Sequence, residues 1–240
     1  MDDYIGKIEK NIFDKIKEKE DLIILELGVQ NGASTKRFLE ICDRNKGHLY
    51  SVDIIDCSKV SDNKNWTFIQ SRDDNFNLIK SKIPNEIDIL YIDSLHEANH
   101  VSKIIYGYYD LLKVGGMIFI DDISHLPYVK NGSRNNFYCE INNQETFNTI
   151  LDIYFSNHKN FNLNFNFESS GLAIIKKIKK DPIRRKIKIE SREFFSPPLT
   201  YIFPSFIQVI CRNLADSNNL LEYCKPIYGK ARAWATRRRT

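Results

Sequence analysis

Apolar and polar positions alternate with two different periods along this chain. From Tyr4 to Lys19, Ile5, Ile8, Ile12, Phe13 and Ile16 recur at helical spacing with Lys and Glu between them, which predicts an amphipathic N-terminal helix. A short, nearly all-apolar run over about 22–27 has the pattern of a strand buried on both faces in a parallel sheet. A helical pattern over about 33–45 then buries Phe38, Leu39 and Cys42. His48 to Asp53 predicts a second strand, Trp66 to Gln70 a third, and Ile87 to Asp93 a fourth. Val101, Ile104, Ile105, Tyr108 and Leu112 share one face of a helix expected from Glu97 to Leu112, with Gly115-Gly116 as its stop. Met117 to Asp122 predicts a fifth strand. Asn142 and Glu145 have the spacing of a capping pair for a helix holding Phe147, Ile150, Leu151 and Tyr154. Phe161 to Phe167 and Leu172 to Ile178, joined by Glu168 to Gly171, predict a closing antiparallel hairpin. Strands alternating with helices imply right-handed crossovers and an α/β fold, a mostly parallel sheet with helices on both faces. No internal repeat is present.

Composition adds the domain plan. A chain of 240 residues suits one α/β domain with an appendage: residues 1–178, opened by the helix within 1–20, and an extension over 179–240. Hydrophobic residues at 42% and charged residues at 28% fit a soluble globular protein. No signal peptide is expected, and Phe194 to Cys211, the longest apolar stretch, is broken by Pro197, Pro198 and Pro204, so no transmembrane segment is predicted. Cys42, Cys57, Cys139, Cys211 and Cys224 lack metal-ligand or CxxC spacing and read as reduced thiols, which predicts a cytoplasmic location. The net charge of +4 conceals an asymmetry, with residues 1–175 at −7 and residues 176–240 at +11. The basic clusters at 176–180, 184–188 and 237–239 are expected either to meet a polyanion (nucleic acid, anionic glycan or acidic membrane) or to remain a solvated face. Phe194, Phe195, Tyr201, Phe203 and Phe206 among the prolines would pack on the body or on a second subunit, making a homo-oligomer.

Candidate chemistry collects where strands end. After the first strand comes Glu26-Leu-Gly28-Val-Gln-Asn-Gly32-Ala-Ser34. Gly28 and Gly32 permit a tight turn in which backbone approaches a ligand. Ser34 and Thr35 stand where the first helical N–H groups need partners. The spacing is neither the six-residue dinucleotide fingerprint nor a P-loop, which would carry a Lys. Asp53, 25 residues beyond Gly28, ends the second strand, where a carboxylate can accept both hydroxyls of a ribose. Asp73, in Arg72-Asp73-Asp74, follows the third strand and is expected either to contact a ligand or to cap the next helix. Asp93 ends the fourth strand with His96 three residues on, and Asp121 and Asp122 end the fifth.

The glycine turn resembles the first motif of class I S-adenosylmethionine-dependent methyltransferases, and with it the sequence implies a Rossmann-like seven-stranded sheet. By that resemblance Glu26, Gly28, Gly32, Ser34, Asp53, Asp73 and Asp93 contact S-adenosylmethionine. The stretches Tyr91 to His96 and Val114 to Asp122 are similar to metal-dependent O-methyltransferases of the catechol and macrocin types. The family strand order makes the fourth and fifth strands neighbours, about 4.8 Å apart. Asp93, Asp121 and Asp122 would then crowd one edge, a conflict that a hard divalent cation relieves, magnesium first. Catechol-type enzymes carry a catalytic Lys where this chain has His96, and macrocin-type enzymes use a His as base. The resemblance therefore implies O-methylation of a small-molecule hydroxyl, a sugar or other polyhydroxyl compound, with His96 as general base and His100 and His125 as alternatives. Tyr128, Lys130, Asn131 and Arg134 would lie in a loop over the acceptor. Two rivals remain: an RNA-directed methyltransferase using the basic tail, and a non-catalytic methyltransferase-like binding or assembly module.

Overall fold

A computed structural model describes residues 3–125 and 137–185. The loop at Tyr128, Lys130, Asn131 and Arg134, the aromatic residues 194–206, Cys211, Cys224 and the basic clusters beyond Arg185 lie outside the described residues. The chain divides into two units, residues 1–132 with 142–186 and residues 133–141 with 187–240. The architecture below is that of the first.

Its centre is a seven-stranded sheet of order β3-β2-β1-β4-β5-β7-β6. The strands are β1 (Ile23–Leu27), β2 (His48–Asp53), β3 (Trp66–Gln70), β4 (Ile87–Ile92), β5 (Leu112–Asp121), β6 (Phe161–Asn166) and β7 (Leu172–Lys177). The first five run parallel, while β7 pairs antiparallel with both β5 and β6. The helices are α1 (Asp3–Ile8), α2 (Asp14–Ile16), α3 (Ala33–Asn45), α4 (Phe76–Lys82), α5 (Ala98–Tyr108) and α6 (Phe137–Asn157). Side chains alternate across the sheet and supply two separate cores. Leu25, Leu27, Leu90, Ile118 and Ile120 pack with Val101, Ile104 and Ile105 of α5 and Ile150 and Ile153 of α6. Ile24, Leu49, Ile89 and Phe119 pack with Phe38 and Leu39 of α3 and Ile8, Ile12 and Ile16 of the N-terminal segment. Burial on both faces is why the central strands are almost wholly apolar.

Three elements differ from expectation. The helix predicted to reach Leu112 ends at Tyr108, passes through a 3-10 turn at Tyr109–Leu111, and β5 already begins at Leu112. Gly115 and Gly116 are therefore inside a strand. The pairing register shifts between Ile87 and Ile89, Gly115 has φ +86°, and a Cβ on Gly116 would stand 2.8 Å from the Asp88 carbonyl. The glycines serve a bulge rather than a helix stop. Next, α6 begins at Phe137, so Asn142 and Glu145 lie inside it and do not form its cap. Finally, the N-terminal helix is interrupted by a π-helical turn at Glu9–Phe13.

Beyond Ile178 the chain stays tied to the body. The Arg184 N–H donates to Asn157 Oδ1 at 2.6 Å, and Asn157 Nδ2 donates back to the Arg184 carbonyl at 2.9 Å. Lys177 is buried, with Nζ donating to the Tyr109 carbonyl at 3.0 Å and lying 4.5 Å from the Tyr109 ring centroid. It is a core lysine, outside any solvated basic face.

Candidate functional site

The carboxyl ends of the five parallel strands share one edge, and the strand order reverses between β1 and β4. Ligands in open α/β sheets bind at such a switch point. There the turn after β1 crosses directly over β4: Gly28 has φ +98°, and a Cβ on it would lie 2.0 Å from the Asp93 carbonyl oxygen. Gly32, with φ +77°, precedes α3 without any side-chain cap. Ser34 and Thr35 do not cap the helix as expected. Their hydroxyls point beneath the turn, Ser34 Oγ donating to Glu26 Oε1 at 2.6 Å and Thr35 Oγ1 to Oε2 at 2.8 Å. Ser51 Oγ donates to the same Oε2 at 2.6 Å, and Trp66 Nε1 to Ser51 at 2.9 Å. Glu26 is thus fully buried under the glycine turn rather than on its surface. Burial pushes its carboxyl up to about 7, and the three hydroxyls pull the other way.

Asp53 closes the turn from β2. Its Oδ2 accepts the N–H groups of Val29 at 2.9 Å and Gln30 at 3.1 Å, and Oδ1 that of Ile55 at 2.9 Å. Burial opposes its charge, but these backbone donors outweigh it and hold the carboxyl below its ordinary value. Ile54 and Ile55 beside it are each 66% exposed. This apolar pair next to a carboxylate was not singled out from the sequence, because exposure is invisible in a short loop.

Asp73 does not cap α4, whose N-cap is Asn75. Its Oδ2 instead accepts Ser94 Oγ at 2.5 Å and bonds His100 Nε2 at 2.8 Å. Burial would raise this carboxyl, yet the His100 and Ser94 bonds leave it lowered. Asp73 ties the loop after β3 to the loop after β4, and His100 is occupied in that tie.

The acid group at the ends of β4 and β5 is arranged differently from the expected cation site. Asp121 is 1% exposed, and its Oδ1 accepts the ammonium of Lys7, the Asp122 N–H at 2.8 Å and Ser170 Oγ at 3.2 Å. Lys7 Nζ also donates to Ser170 Oγ at 2.6 Å. The Tyr91 hydroxyl bridges Asp93 Oδ2 at 3.1 Å and Asp121 Oδ2 at 3.4 Å. Burial and the Asp93 charge push Asp121 up to about 6 while Lys7 pulls it down. His96 Nε2 stands 3.5 Å from Asp93 Oδ1 and 3.4 Å from Asp122 Oδ2. Asp122 is held at φ +57°. Of the three carboxylates, one faces an ammonium and two flank an imidazole. Among the described residues, no group of three or more His, Cys, Asp or Glu is placed to hold a metal. The residues present do not fit the three-carboxylate cation site expected from the sequence.

His125, the remaining alternative base, lies against Phe147 at 4.9 Å and Phe167 at 6.0 Å between ring centroids. Lys7, Tyr91 and Ser170 are the site residues that sequence reasoning missed. Lys7 reads as part of a polar helix face, and its partner is 114 residues away.

The family model Methyltransf_24, described as a methyltransferase domain, matches residues 25–123. No curated protein matches the chain. Among solved structures, MycE methyltransferase from the mycinamycin biosynthetic pathway, in complex with Mg, SAH and mycinamycin VI, has TM-score 0.55 at 19% identity, over 74% of this chain and 50% of that one. This chain thus spans about half the length of the MycE chain. The SAH-bound Podospora anserina methyltransferase PaMTH1 has TM-score 0.58 at 14% identity, covering 70% and 76% of the two chains. A candidate caffeoyl-CoA O-methyltransferase from Staphylococcus aureus has TM-score 0.54 at 17% identity, covering 74% and 84%.

Proposed function

We propose that the chain, whose residues 25–123 match a methyltransferase-domain family model, is a class I S-adenosylmethionine-dependent methyltransferase that methylates a hydroxyl of a sugar or other polyhydroxyl small molecule, with His96 as general base. The observation that carries this reading is the placement of His96 Nε2 between Asp93 and Asp122, 3.5 and 3.4 Å away. That point adjoins the strand end on which the Gly28 turn rests. The MycE structure, which holds mycinamycin VI, supports a small-molecule acceptor.

The cofactor, when bound, supplies a methyl group on a sulfonium. The Gly28 turn suits it, because the missing Cβ lets the turn lie directly on the Asp93 carbonyl and keeps its backbone at the strand ends, where ligands of open α/β sheets bind. Asp53 holds the turn's N–H groups in place from below, and Ile54 and Ile55 offer an apolar surface beside it. Glu26 fixes the turn through Ser34, Thr35 and Ser51. His96 would take the acceptor hydroxyl's proton at Nε2 as that oxygen gains the methyl group, the methyl–sulfur bond breaking to leave the neutral thioether S-adenosylhomocysteine. Asp93 and Asp122 then stabilise the imidazolium, which returns its proton to solvent. A divalent cation on all three carboxylates would have to displace Lys7 from Asp121.

The test is a screen of sugar and phenolic acceptors alongside calorimetry with S-adenosylhomocysteine. His96→Ala should lower turnover by roughly a hundred- to ten-thousand-fold with cofactor affinity unchanged. Near-wild-type turnover would place the base elsewhere, and steep salt-dependent RNA binding with RNA methylation would favour an RNA acceptor.

A further inference from the structure

We infer that Lys7 is the built-in counter-cation of the acid group, its ammonium taking the position relative to Asp121 that a divalent metal would need. The Lys7 and Asp121 side chains are 0% and 2% exposed. A buried ammonium is tolerated only when paired and hydrogen-bonded. Here it has a carboxylate and, in Ser170 Oγ, a second acceptor at 2.6 Å. Asp121 Oδ1 in turn accepts Lys7, Ser170 and the Asp122 N–H. A dication at that oxygen would meet an ammonium of the same sign.

The position of Lys7 is built rather than incidental. Ile8 and Ile12, immediately beyond it, are 2% and 0% exposed in the core against α3. The π-helical turn at Glu9–Phe13 starts two residues after it, and such turns are rare and concentrate at functional sites. Within that turn Asn11 Nδ2 donates to the Lys7 carbonyl at 2.9 Å, and Asn11 Oδ1 accepts Asn166 Nδ2 of β6 at 2.8 Å. The N-terminal segment is therefore clamped between α3 and the β6–β7 hairpin, with its lysine directed at the end of β5.

The consequence reaches His96 by a short path. Lys7 holds Asp121, Asp121 holds the Asp122 N–H, and Asp122 at φ +57° places its carboxylate 3.4 Å from His96 Nε2. Tyr91 carries the arrangement to Asp93. Lys7 is a positioning residue for the imidazole and touches neither cofactor nor acceptor. This last consequence rests on the reading of His96 as base, whereas the replacement of metal by ammonium does not.

The experiment is a Mn2+ titration of the full-length protein followed by electron paramagnetic resonance. Wild type should show no bound Mn2+ that Asp121→Asn removes, and Lys7→Arg should behave alike. Lys7→Met, with the cation gone and the carboxylates left, should gain a Mn2+ site at least about tenfold tighter than any wild-type binding, and Lys7→Met with Asp121→Asn should lose it. A wild-type Mn2+ site abolished by Asp121→Asn would overturn the inference. So would a folded Lys7→Met protein that gains none. The wild-type arm decides the matter even where Lys7→Met does not fold. Calorimetry with S-adenosylhomocysteine on the same samples separates the two claims, since its failure sinks the methyltransferase reading and leaves the Mn2+ result standing.

Discussion

Glu26 is a residue whose protonation bears on folding stability near neutral pH. Its carboxyl is pushed up to about 7 in the folded protein, above the ordinary 4.5, because burial penalises the charge more than three hydroxyl donors support it. A carboxyl with a raised folded value binds more protons folded than unfolded, so its stabilising effect is present below about 4.5 and is lost as pH rises through about 7. The loss is on the order of 3 kcal/mol. Glu26→Gln removes the titration and keeps a group that can bond hydroxyls. Its melting temperature relative to wild type should therefore climb between pH 4.5 and 7 and level off above. A difference that is flat with pH would mean the carboxyl is ionised throughout. Residues such as Asp53, Asp93 and Asp121 were legible in the sequence because strand ends on one sheet edge can be placed from pattern alone. Lys7 was not, since nothing local distinguishes it from Lys10 or Lys15, and only the fold brings it to Asp121.

Among elements, the turn between β1 and α3 tolerates least. Gly28→Ala combines a backbone value of φ +98° with a Cβ 2.0 Å from the Asp93 carbonyl, so the turn must lift off β4. We expect a loss of more than about 2 kcal/mol, together with much weaker binding of S-adenosylhomocysteine. Gly115→Ala is the matched control: φ is +86°, but nothing lies within 4 Å of the new Cβ. It should cost only the backbone strain, about 1 kcal/mol, and leave ligand binding intact. Equal effects in denaturant melts and calorimetry would show that close approach to Asp93 is unimportant. The central strands β1, β4 and β5 were readable because two-sided burial leaves an apolar run. By contrast α4 buries only Ile79, too little periodicity to announce a helix, and the Gly115-Gly116 bulge depends on a register shift against β4 that no single-strand pattern contains.

For the whole molecule, charge is divided along the chain, with +11 on residues 176–240. If that region meets a polyanion, binding to single-stranded RNA or anionic vesicles should weaken steeply between low and physiological salt. Salt-insensitive or absent binding would return it to a solvated segment. Lys177 will not contribute, being committed to Tyr109. A mostly parallel sheet with right-handed crossovers followed from alternation of strand and helix, and its strand order from the family resemblance, but the clasp of the N-terminal segment onto the last hairpin followed from neither, because it joins residues more than 150 positions apart. That clasp sets an order of events during synthesis. A ribosome adding 5–20 residues per second needs roughly ten to thirty seconds to travel from Lys7 to Ser170. Throughout that interval the nascent helix has its apolar stripe and its lysine ready but no hairpin to close against. The acid group can be completed only after Ser170 has been made, so Lys7 waits for a partner that is synthesised 163 residues later.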